Sequence, residues 1–278
     1  MDEERKVNLY DKPLSEIRVI GGAGIIDSAS KRIPMQLMRM FSLEHQDPFK
    51  YDLNGKPVIW VNEEVKVTDD KGKTIYVQPN VRRPEFWSPL AIKVVASKYF
   101  WGNIKKNERE SSVEQLVGRV SRFIKRQALN QGYFDEKQAS ILHDELVALC
   151  LNQVSVFNSP VWFNCGTNQE YDKTAGGVAP YAWDSSQNIV RKTLQGEDKP
   201  QCSACFILGM EDTMESIMEV QTAEAMIFKG GSGAGSNRSI LRSSKEKLTG
   251  GGACSGPLSF MRGYDAYAGV IKSGGKTR

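Results

Sequence analysis

The chain has 278 residues, 40% of them hydrophobic and 25% charged, and 37 basic against 33 acidic residues give a net charge of +4. This composition is typical of a folded protein with one large or two medium domains and argues against intrinsic disorder. So small a charge does not indicate a membrane surface, and we expect no direct nucleic-acid binding. We find no run of about 18 apolar residues and no apolar stretch behind the charged N-terminus, so we expect a cytoplasmic protein with no membrane partner.

Residues 1–85 are predicted to form an N-terminal extension with a β-hairpin. A run rich in valine and other β-formers ends at Thr68, residues 69–73 supply a turn, and residues 74–78 return as the second strand. Pro79 is expected to end that strand, because proline cannot donate a hydrogen bond to the ladder.

Residues 86–157 are predicted to form a mainly helical N-terminal domain. The first long helix has apolar residues at helical spacing, a capping box that begins at Ser112, and Gly132 as its stop. A second helix is expected to begin at Asp135. Cys150 falls on the apolar face of this second helix and is predicted to be a core residue.

Residues 158–278 alternate between apolar runs and glycine-rich segments. A short apolar run at 203–208 predicts a buried strand, Asp212 is the expected start of a helix, and Pro257 fits the first turn of another. Twelve of the 25 glycines lie between residues 230 and 275, and such loops bring the backbone close to phosphates or sugars. Strand, helix and glycine loop in alternation indicate an α/β layer or barrel.

The five cysteines and two histidines limit the chemistry that the chain can carry. Cys202 and Cys205 form a C-x-x-C pair, which fits half of a zinc site, a redox dithiol or chance. Because no second pair lies at a suitable spacing, we predict no metal site. If only one of the two thiols takes part in a reaction, Cys205 is the better candidate, since a strand end can direct a thiol into a cleft.

Several segments occur together in a fixed order. They are Asn158-Ser-Pro-Val-Trp-Phe-Asn-Cys-Gly166, Gln201-Cys-Ser-Ala-Cys-Phe-Ile207, Lys229-Gly-Gly-Ser-Gly-Ala-Gly-Ser-Asn237, Leu241-Arg-Ser-Ser-Lys-Glu-Lys-Leu248, Gly250-Gly-Gly-Ala-Cys-Ser-Gly-Pro-Leu-Ser-Phe-Met-Arg-Gly263 and Asp265-Ala-Tyr-Ala-Gly-Val-Ile-Lys-Ser-Gly-Gly-Lys-Thr-Arg278. Taken together they resemble the large chain of adenosylcobalamin-dependent (class II) ribonucleotide reductase. The resemblance is strongest over residues 158–278.

The resemblance implies an α/β fold in which a mainly helical N-terminal domain precedes a ten-stranded α/β barrel, of which this chain holds only the first part. It implies reduction of ribonucleotides, expected to be diphosphates rather than triphosphates, to 2′-deoxyribonucleotides by thiyl-radical chemistry. The implied cofactor is adenosylcobalamin, the vitamin B12 coenzyme. The implied partners are deoxynucleotide effectors, a thioredoxin-like reductant, the C-terminal portion of the same enzyme and a second copy in a homodimer.

The resemblance also assigns roles to individual residues. Cys205 matches the redox cysteine on the first barrel strand. The residues that match substrate-binding positions are Ser159, Ser203, Ala204, Ser232 and Gly233. Asp212 and Arg242 match the site for specificity effectors, and residues 272–278 match the start of the loop that links the effector to substrate choice.

The chain departs from the family pattern in one respect that bears on activity. Nothing in it matches the Asn-x-Cys-x-Glu motif that carries the thiyl cysteine, so we expect the N-terminal part of an enzyme, interrupted at or near Arg278 and inactive alone. No signature of the ATP-cone regulatory domain is present either. Two alternatives stay open: a class I large chain that needs a radical-generating subunit, and a non-catalytic nucleotide-binding module.

Overall fold

A β-hairpin and a group of helices precede a smaller strand–helix–strand unit. The structure is a computed structural model and describes residues 35–172, 181–184, 187–193, 199–248 and 250–271. Its α-helices are α1 Pro89–Val94, α2 Val113–Asn130, α3 Glu136–Leu151, α4 Ser159–Asn164, α5 Thr167–Tyr171, α6 Met214–Lys229 and α7 Pro257–Val270. Its strands are β1 Trp60–Thr68, β2 Thr74–Pro84, β3 Tyr181–Asp184, β4 Ile189–Lys192, β5 Cys205–Leu208 and β6 Gly233–Ser236. None of these helices combines the length and the apolar character needed to cross a membrane.

The predicted hairpin is present, and its second strand is longer than the sequence indicates. β1 and β2 pair antiparallel, and β2 continues past Pro79 to Pro84. The expectation that Pro79 ends the strand is therefore wrong. Pro79 lies in a register shift opposite the segment between Glu63 and Val65. A bulge tolerates proline because the ladder needs no hydrogen bond from its nitrogen there.

The predicted signals for the two long helices are confirmed. At the start of α2, the Ser112 hydroxyl accepts a hydrogen bond from the backbone N–H of Gln115 at 3.0 Å, and the Gln115 side chain accepts one from the Ser112 N–H at 3.1 Å. Gly132 follows the helix with a φ of 67°. The Asp135 carboxylate caps α3 by accepting from the N–H of Gln138 at 2.8 Å.

One apolar cluster joins the hairpin to the helices that follow it. Its buried members are Val65, Val81, Trp87, Ile92, Ala96, Phe100, Val113, Leu116, Val117, Val120, Phe123, Val147, Cys150, Leu151, Val161, Trp162 and Cys165. The prediction that Cys150 is a core residue is confirmed, since only 5% of it is exposed. The proposed domain boundaries near residues 85 and 157 stay predictions.

A buried ion pair connects α2 to α4. Arg119 Nε lies 2.6 Å from Glu110 Oε1, and both side chains are fully buried. The Arg119 guanidinium also donates to the backbone carbonyls of Trp162, at 3.1 Å, and Cys165, at 2.5 Å. Buried charges need such complete pairing, because an unpaired buried charge is costly. The pair therefore fixes the C-terminal end of α4.

The second unit consists of β5, α6, β6 and α7. β5 and β6 pair in parallel with α6 as their connection, and α7 begins at Pro257 as predicted. A small core of Ile217, Val220, Leu241 and Tyr264 lies between these elements. The described residues contain three two-stranded sheets and no closed barrel.

Candidate functional site

Cys205 is the first residue of β5, and its thiol is exposed. In the parallel register Cys205 lies opposite Gly233, and a Cβ added to Gly233 would lie 3.6 Å from the Cys205 sulfur. The predicted strand is therefore present. The prediction that it is buried is wrong, since Ile207 is 87% exposed. Within the described residues β5 has a strand partner on one side only.

The glycine-rich segment after α6 is partly a strand, whereas the sequence predicts a loop throughout. Residues 233–236 form β6, because glycine and small residues allow close pairing with β5 although they carry no strand pattern. Two glycines before the strand pack against neighbouring side chains. A Cβ on Gly230 would lie 2.4 Å from the Gln201 side-chain nitrogen, and Gly231 has a φ of 89° and lies against Phe163.

Three buried polar side chains hold the segments of the site together, and we call Asn164, Gln201 and Ser232 the polar hub. Asn164 donates to the carbonyls of Gln201, at 2.9 Å, and Gly230, at 3.0 Å. The Gln201 side-chain amide donates to the Ser232 hydroxyl at 2.5 Å, and that hydroxyl donates to the Ser203 carbonyl at 2.6 Å. The hub thus joins α4, the segment before β5 and the glycine segment.

The hub places four of the five predicted substrate residues next to one another. Ser203 accepts from Ser232, and Ala204 accepts through its carbonyl from the N–H of Gly233 at 2.7 Å. These residues directly flank Cys205 in the β5–β6 pair. Polar and small groups beside an exposed thiol can lie close to a sugar without excluding its hydroxyls.

Ser159, the fifth predicted substrate residue, is the first residue of α4. Its hydroxyl lies 3.0 Å from the Tyr99 hydroxyl. Asn158 caps the helix by accepting from the N–H of Val161. Because the hub residue Asn164 ends the same six-residue helix, Ser159 lies about 8 Å from it along the helix axis.

The C-x-x-C pair does not act as one unit in the structure. The Cys202 thiol lies 3.3 Å from the Cys165 thiol, at the end of α4, whereas Cys205 faces the glycine strand. Sequence reasoning assigned no role to Cys165 or Cys202. The hub residues Asn164 and Gln201 were missed as well, because no spacing pattern distinguishes a buried amide from an exposed one.

The two predicted effector residues form an ion pair. Arg242 Nε lies 2.6 Å from Asp212 Oδ2, and Arg242 also donates to the Asp212 carbonyl at 3.2 Å. The hydrogen bond from Arg242 holds the pKa of Asp212 below its ordinary value. Asp212 was also expected to start α6, and that prediction is wrong: Thr213 is the capping residue and accepts from the N–H of Ser216.

The effector candidates and the substrate candidates occupy opposite ends of the strand pair. Cys205 and Gly233 begin β5 and β6, whereas Asp212 and Arg242 come after the ends of these strands. A four-residue strand rises about 10 Å from its first to its last residue. The third predicted element of the effector site, residues 272–278, lies outside the described residues.

A buried cluster behind β6 supports the segment that carries Arg242. Arg238 donates to Glu224 at 3.0 Å, and its guanidinium carbon lies 3.6 Å from the centroid of the Tyr264 ring. Burial raises the pKa of Glu224, and the positive charge of Arg238 opposes that rise. Tyr264 donates in turn to the carbonyl of Ile217 in α6. These contacts join α6, β6 and α7.

The described residues contain no site for a bare metal ion, and a cavity lies beside α5. Among them no group of three or more His, Cys, Asp and Glu side chains could hold a metal ion. A cavity of about 350 Å³ is lined by Trp101, Asn107, Glu108, Arg109, Glu110, Gln115 and Tyr171. This volume lies in the range of cavities that hold drug-sized ligands.

Comparison with known protein families gives a match over the second unit and the segment that follows it. Residues 203–278 match the model of the ribonucleotide reductase barrel domain. This part of the chain is similar to the ribonucleotide reductase barrel domain. Cys205, Gly233 and the Asp212–Arg242 pair all lie within the matched part of this barrel domain.

Curated relatives extend the similarity to most of the chain. It is 46% identical over 221 residues to a vitamin B12-dependent ribonucleotide reductase from Rhodopirellula baltica, covering 79% of this chain and 21% of that protein. The corresponding protein of Streptomyces coelicolor is 43% identical over 223 residues, covering 80% of this chain and 20% of the relative. A vitamin B12-dependent ribonucleoside-diphosphate reductase from Thermoplasma acidophilum is 45% identical over 80 residues, covering 28% of this chain and 10% of that protein. The chain thus spans about a fifth of the length of the first two relatives.

Proposed function

We propose that this chain is the N-terminal part of a vitamin B12-dependent ribonucleotide reductase that converts ribonucleoside diphosphates to 2′-deoxyribonucleotides. The observation that carries the proposal is the position of Cys205: an exposed thiol at the start of a strand in the matched barrel domain, beside Gly233 and the polar hub. A diphosphate substrate is favoured because two of the relatives, those from Thermoplasma acidophilum and Mycobacterium tuberculosis, carry it in their names.

Cys205 supplies one of two reducing thiols in this proposal. Replacement of the ribose 2′-hydroxyl by hydrogen requires two electrons and releases water, and two thiols provide the electrons by closing to a disulfide. The second thiol and the thiyl cysteine have no match in residues 1–278, so we expect these residues alone to be inactive. A thioredoxin-like reductant then returns the disulfide to two thiols by exchange.

The substrate sits, in this proposal, over the start of β5 and β6. Ser203, Ala204, Ser232 and Gly233 form its floor, and Ser159 binds a phosphate or ribose oxygen from the N-terminal end of α4. The exposure of Ser203 supports this placement, since the residue stays exposed although its carbonyl accepts a hydrogen bond from the hub.

Asp212 and Arg242 bind a deoxynucleotide effector in this proposal, at the other end of the strand pair. Arg242 can contact phosphate or base, and Asp212 orients it through their ion pair. Residues 272–278 connect that site to the substrate. A homodimer and closure of the ten-stranded barrel by the remainder of the enzyme complete the proposed assembly.

Adenosylcobalamin is the proposed cofactor, since the relatives are named as vitamin B12-dependent. Radical chemistry of this kind needs a cofactor, because side chains do not generate the initiating radical unaided.

The test is an assay of deoxynucleotide formation by the natural protein that contains this chain, with ribonucleoside diphosphate and dithiothreitol. We expect product only when adenosylcobalamin is added, and none from residues 1–278 alone. Product formation that needs a second protein subunit and no cobalamin would favour a class I large chain. Tight deoxynucleotide binding without product under every condition would favour a non-catalytic nucleotide-binding module.

A further inference from the structure

The thiols of Cys165 and Cys202 face each other across two segments of the fold. Their sulfur atoms are 3.3 Å apart, so they need to approach by only about 1.3 Å to reach the roughly 2.0 Å of a disulfide bond. Cys165 follows α4 and is 1% exposed, whereas Cys202 lies on the exposed segment before β5.

Hydrogen bonds on both sides of the pair keep the two backbones in place. The Cys165 carbonyl accepts from Arg119. Asn164, which precedes Cys165, donates to the carbonyl of Gln201, which precedes Cys202, at 2.9 Å. The close approach of the two thiols is therefore supported by a buried hydrogen bond between the residues that precede them.

We propose that Cys165 and Cys202 form a second redox dithiol, separate from Cys205, that exchanges with low-molecular-weight disulfides such as glutathione disulfide. The exposed Cys202 thiolate attacks one sulfur of glutathione disulfide, forms a mixed disulfide and releases one glutathione thiolate. The Cys165 thiolate then attacks the Cys202 sulfur and releases the second glutathione. Two protons leave the cysteines, and two electrons pass from them to glutathione.

The oxidised pair joins α4 covalently to the segment that leads into β5. That bond links the helix carrying Ser159 to the strand carrying Cys205 at a point where the reduced protein has only hydrogen bonds. The inference goes beyond the proposed function and does not depend on it, because the exchange needs neither nucleotide nor radical.

The test is disulfide mapping of the purified protein. The reduced protein is incubated with glutathione disulfide and quenched with acid. Its remaining thiols are then blocked with N-ethylmaleimide in guanidinium, so that buried thiols react as well, and chymotryptic peptides are sequenced by mass spectrometry. We expect one cross-linked species among the five cysteines, Cys165 to Cys202. A Cys202–Cys205 cross-link in the folded protein, or five alkylated cysteines, would overturn the proposal.

Variants separate the pair from the other thiols. Cys165→Ser should stop at a glutathione adduct on Cys202, Cys202→Ser should give no cross-link, and Cys205→Ser should form the Cys165–Cys202 bond at an unchanged rate. Loss of that bond in Cys205→Ser would contradict a separate pair. As a control, the protein unfolded in guanidinium should favour the Cys202–Cys205 bond, because short loops close most readily.

Thermal unfolding tests whether the native geometry already suits the bond. A cross-link that fits the fold removes freedom from the unfolded chain, so we expect the oxidised protein to melt roughly 5 °C above the reduced protein. Cys202→Ser should show no such difference between the two conditions. An oxidised protein that melts below the reduced one would contradict the geometry on which the proposal rests.

Discussion

At the scale of single residues, the cysteines differ in burial and therefore in chemistry. Cys150 lies in the apolar core on α3, where burial raises the pKa of its thiol to about 12. Cys205 is exposed at the start of β5. The thiolate is the nucleophilic form, so a thiol that titrates this high is inert at neutral pH.

Alkylation rates should follow that difference. Burial keeps the Cys150 thiol protonated at pH 8 in the folded protein, and we expect iodoacetamide to modify Cys205 within minutes and to leave Cys150 intact. Peptide mass spectrometry of timed samples measures both rates. Addition of guanidinium should make Cys150 reactive, and equal rates for the two residues without denaturant would contradict the burial of Cys150.

The Asp212–Arg242 pair gives a second prediction at the residue scale. If it belongs to an effector site, Asp212→Asn should weaken binding of a deoxynucleoside triphosphate by about tenfold, since the change removes one charge-assisted hydrogen bond. Equilibrium dialysis with dTTP measures this, and Glu219→Gln on the exposed face of α6 is the matched control. Equal affinities in the two variants would exclude Asp212 from the site.

The pH dependence of that binding follows from the lowered pKa of Asp212. Arg242 stabilises the ionised carboxylate, so the pair stays charged above the ordinary carboxyl pKa of about 4. The contribution of the ion pair to dTTP binding is lost only as the pH falls through the lowered pKa of Asp212 in the folded protein. We therefore expect dTTP affinity to show no titration of Asp212 between pH 5 and pH 8.

At the scale of secondary-structure elements, α2 depends on its capping box. The Ser112 and Gln115 side chains satisfy two backbone donors that the helix cannot pair. Ser112→Ala should lower the free energy of unfolding by about 1 kcal/mol. Urea unfolding measures the change, with Ser155→Ala in the exposed segment after α3 as control. A loss no larger than that of Ser155→Ala would contradict the capping role.

Elements with side-chain signals could be predicted from the sequence, and elements without them could not. The caps at Ser112 and Asp135 carry specific hydrogen-bonding groups, so both long helices begin where predicted. β6 consists of glycine, alanine and serine, and such residues show no hydrophobic alternation. Its formation depends on pairing with β5, 28 residues earlier in the register, which no local pattern reveals.

At the scale of the whole molecule, the buried Glu110–Arg119 pair links the hairpin side of the fold to α4. Glu110 also accepts from the Tyr171 hydroxyl at 2.8 Å and from the N–H of Trp101 at 2.7 Å. Burial and the negative charge of Glu110 raise the pKa of Tyr171. The network holds the helix that carries Ser159 and Asn164 in place beneath the candidate site.

Removal of one partner of that pair should destabilise the protein strongly. Arg119→Met leaves the Glu110 carboxylate buried and without its counter-charge, and we expect a loss of about 3–5 kcal/mol in the free energy of unfolding. Glu114→Gln breaks an exposed pair with Arg82 and should cost less than about 1 kcal/mol. Chemical denaturation measures the loss in the free energy of unfolding for both variants. Equal losses would contradict a structural role for the buried pair.

The candidate site was partly predictable at this scale. The resemblance assigned roles to Ser203, Ser232 and Cys205, and the structure brings these residues together. The resemblance could not reveal the polar hub or the Cys165–Cys202 contact, because both depend on long-range packing between α4 and the segment before β5.

The most direct test of the account is the fate of the Cys205 thiol during one catalytic turnover. The natural protein that contains this chain is prereduced, freed of external reductant, mixed with adenosylcobalamin and a ribonucleoside diphosphate, quenched with N-ethylmaleimide and mapped. We expect the fraction of Cys205 that N-ethylmaleimide alkylates to fall in proportion to the deoxynucleotide formed. That fraction should stay unchanged when the substrate is omitted. Deoxynucleotide accumulation with Cys205 still fully alkylated would contradict the claim that Cys205 delivers the electrons.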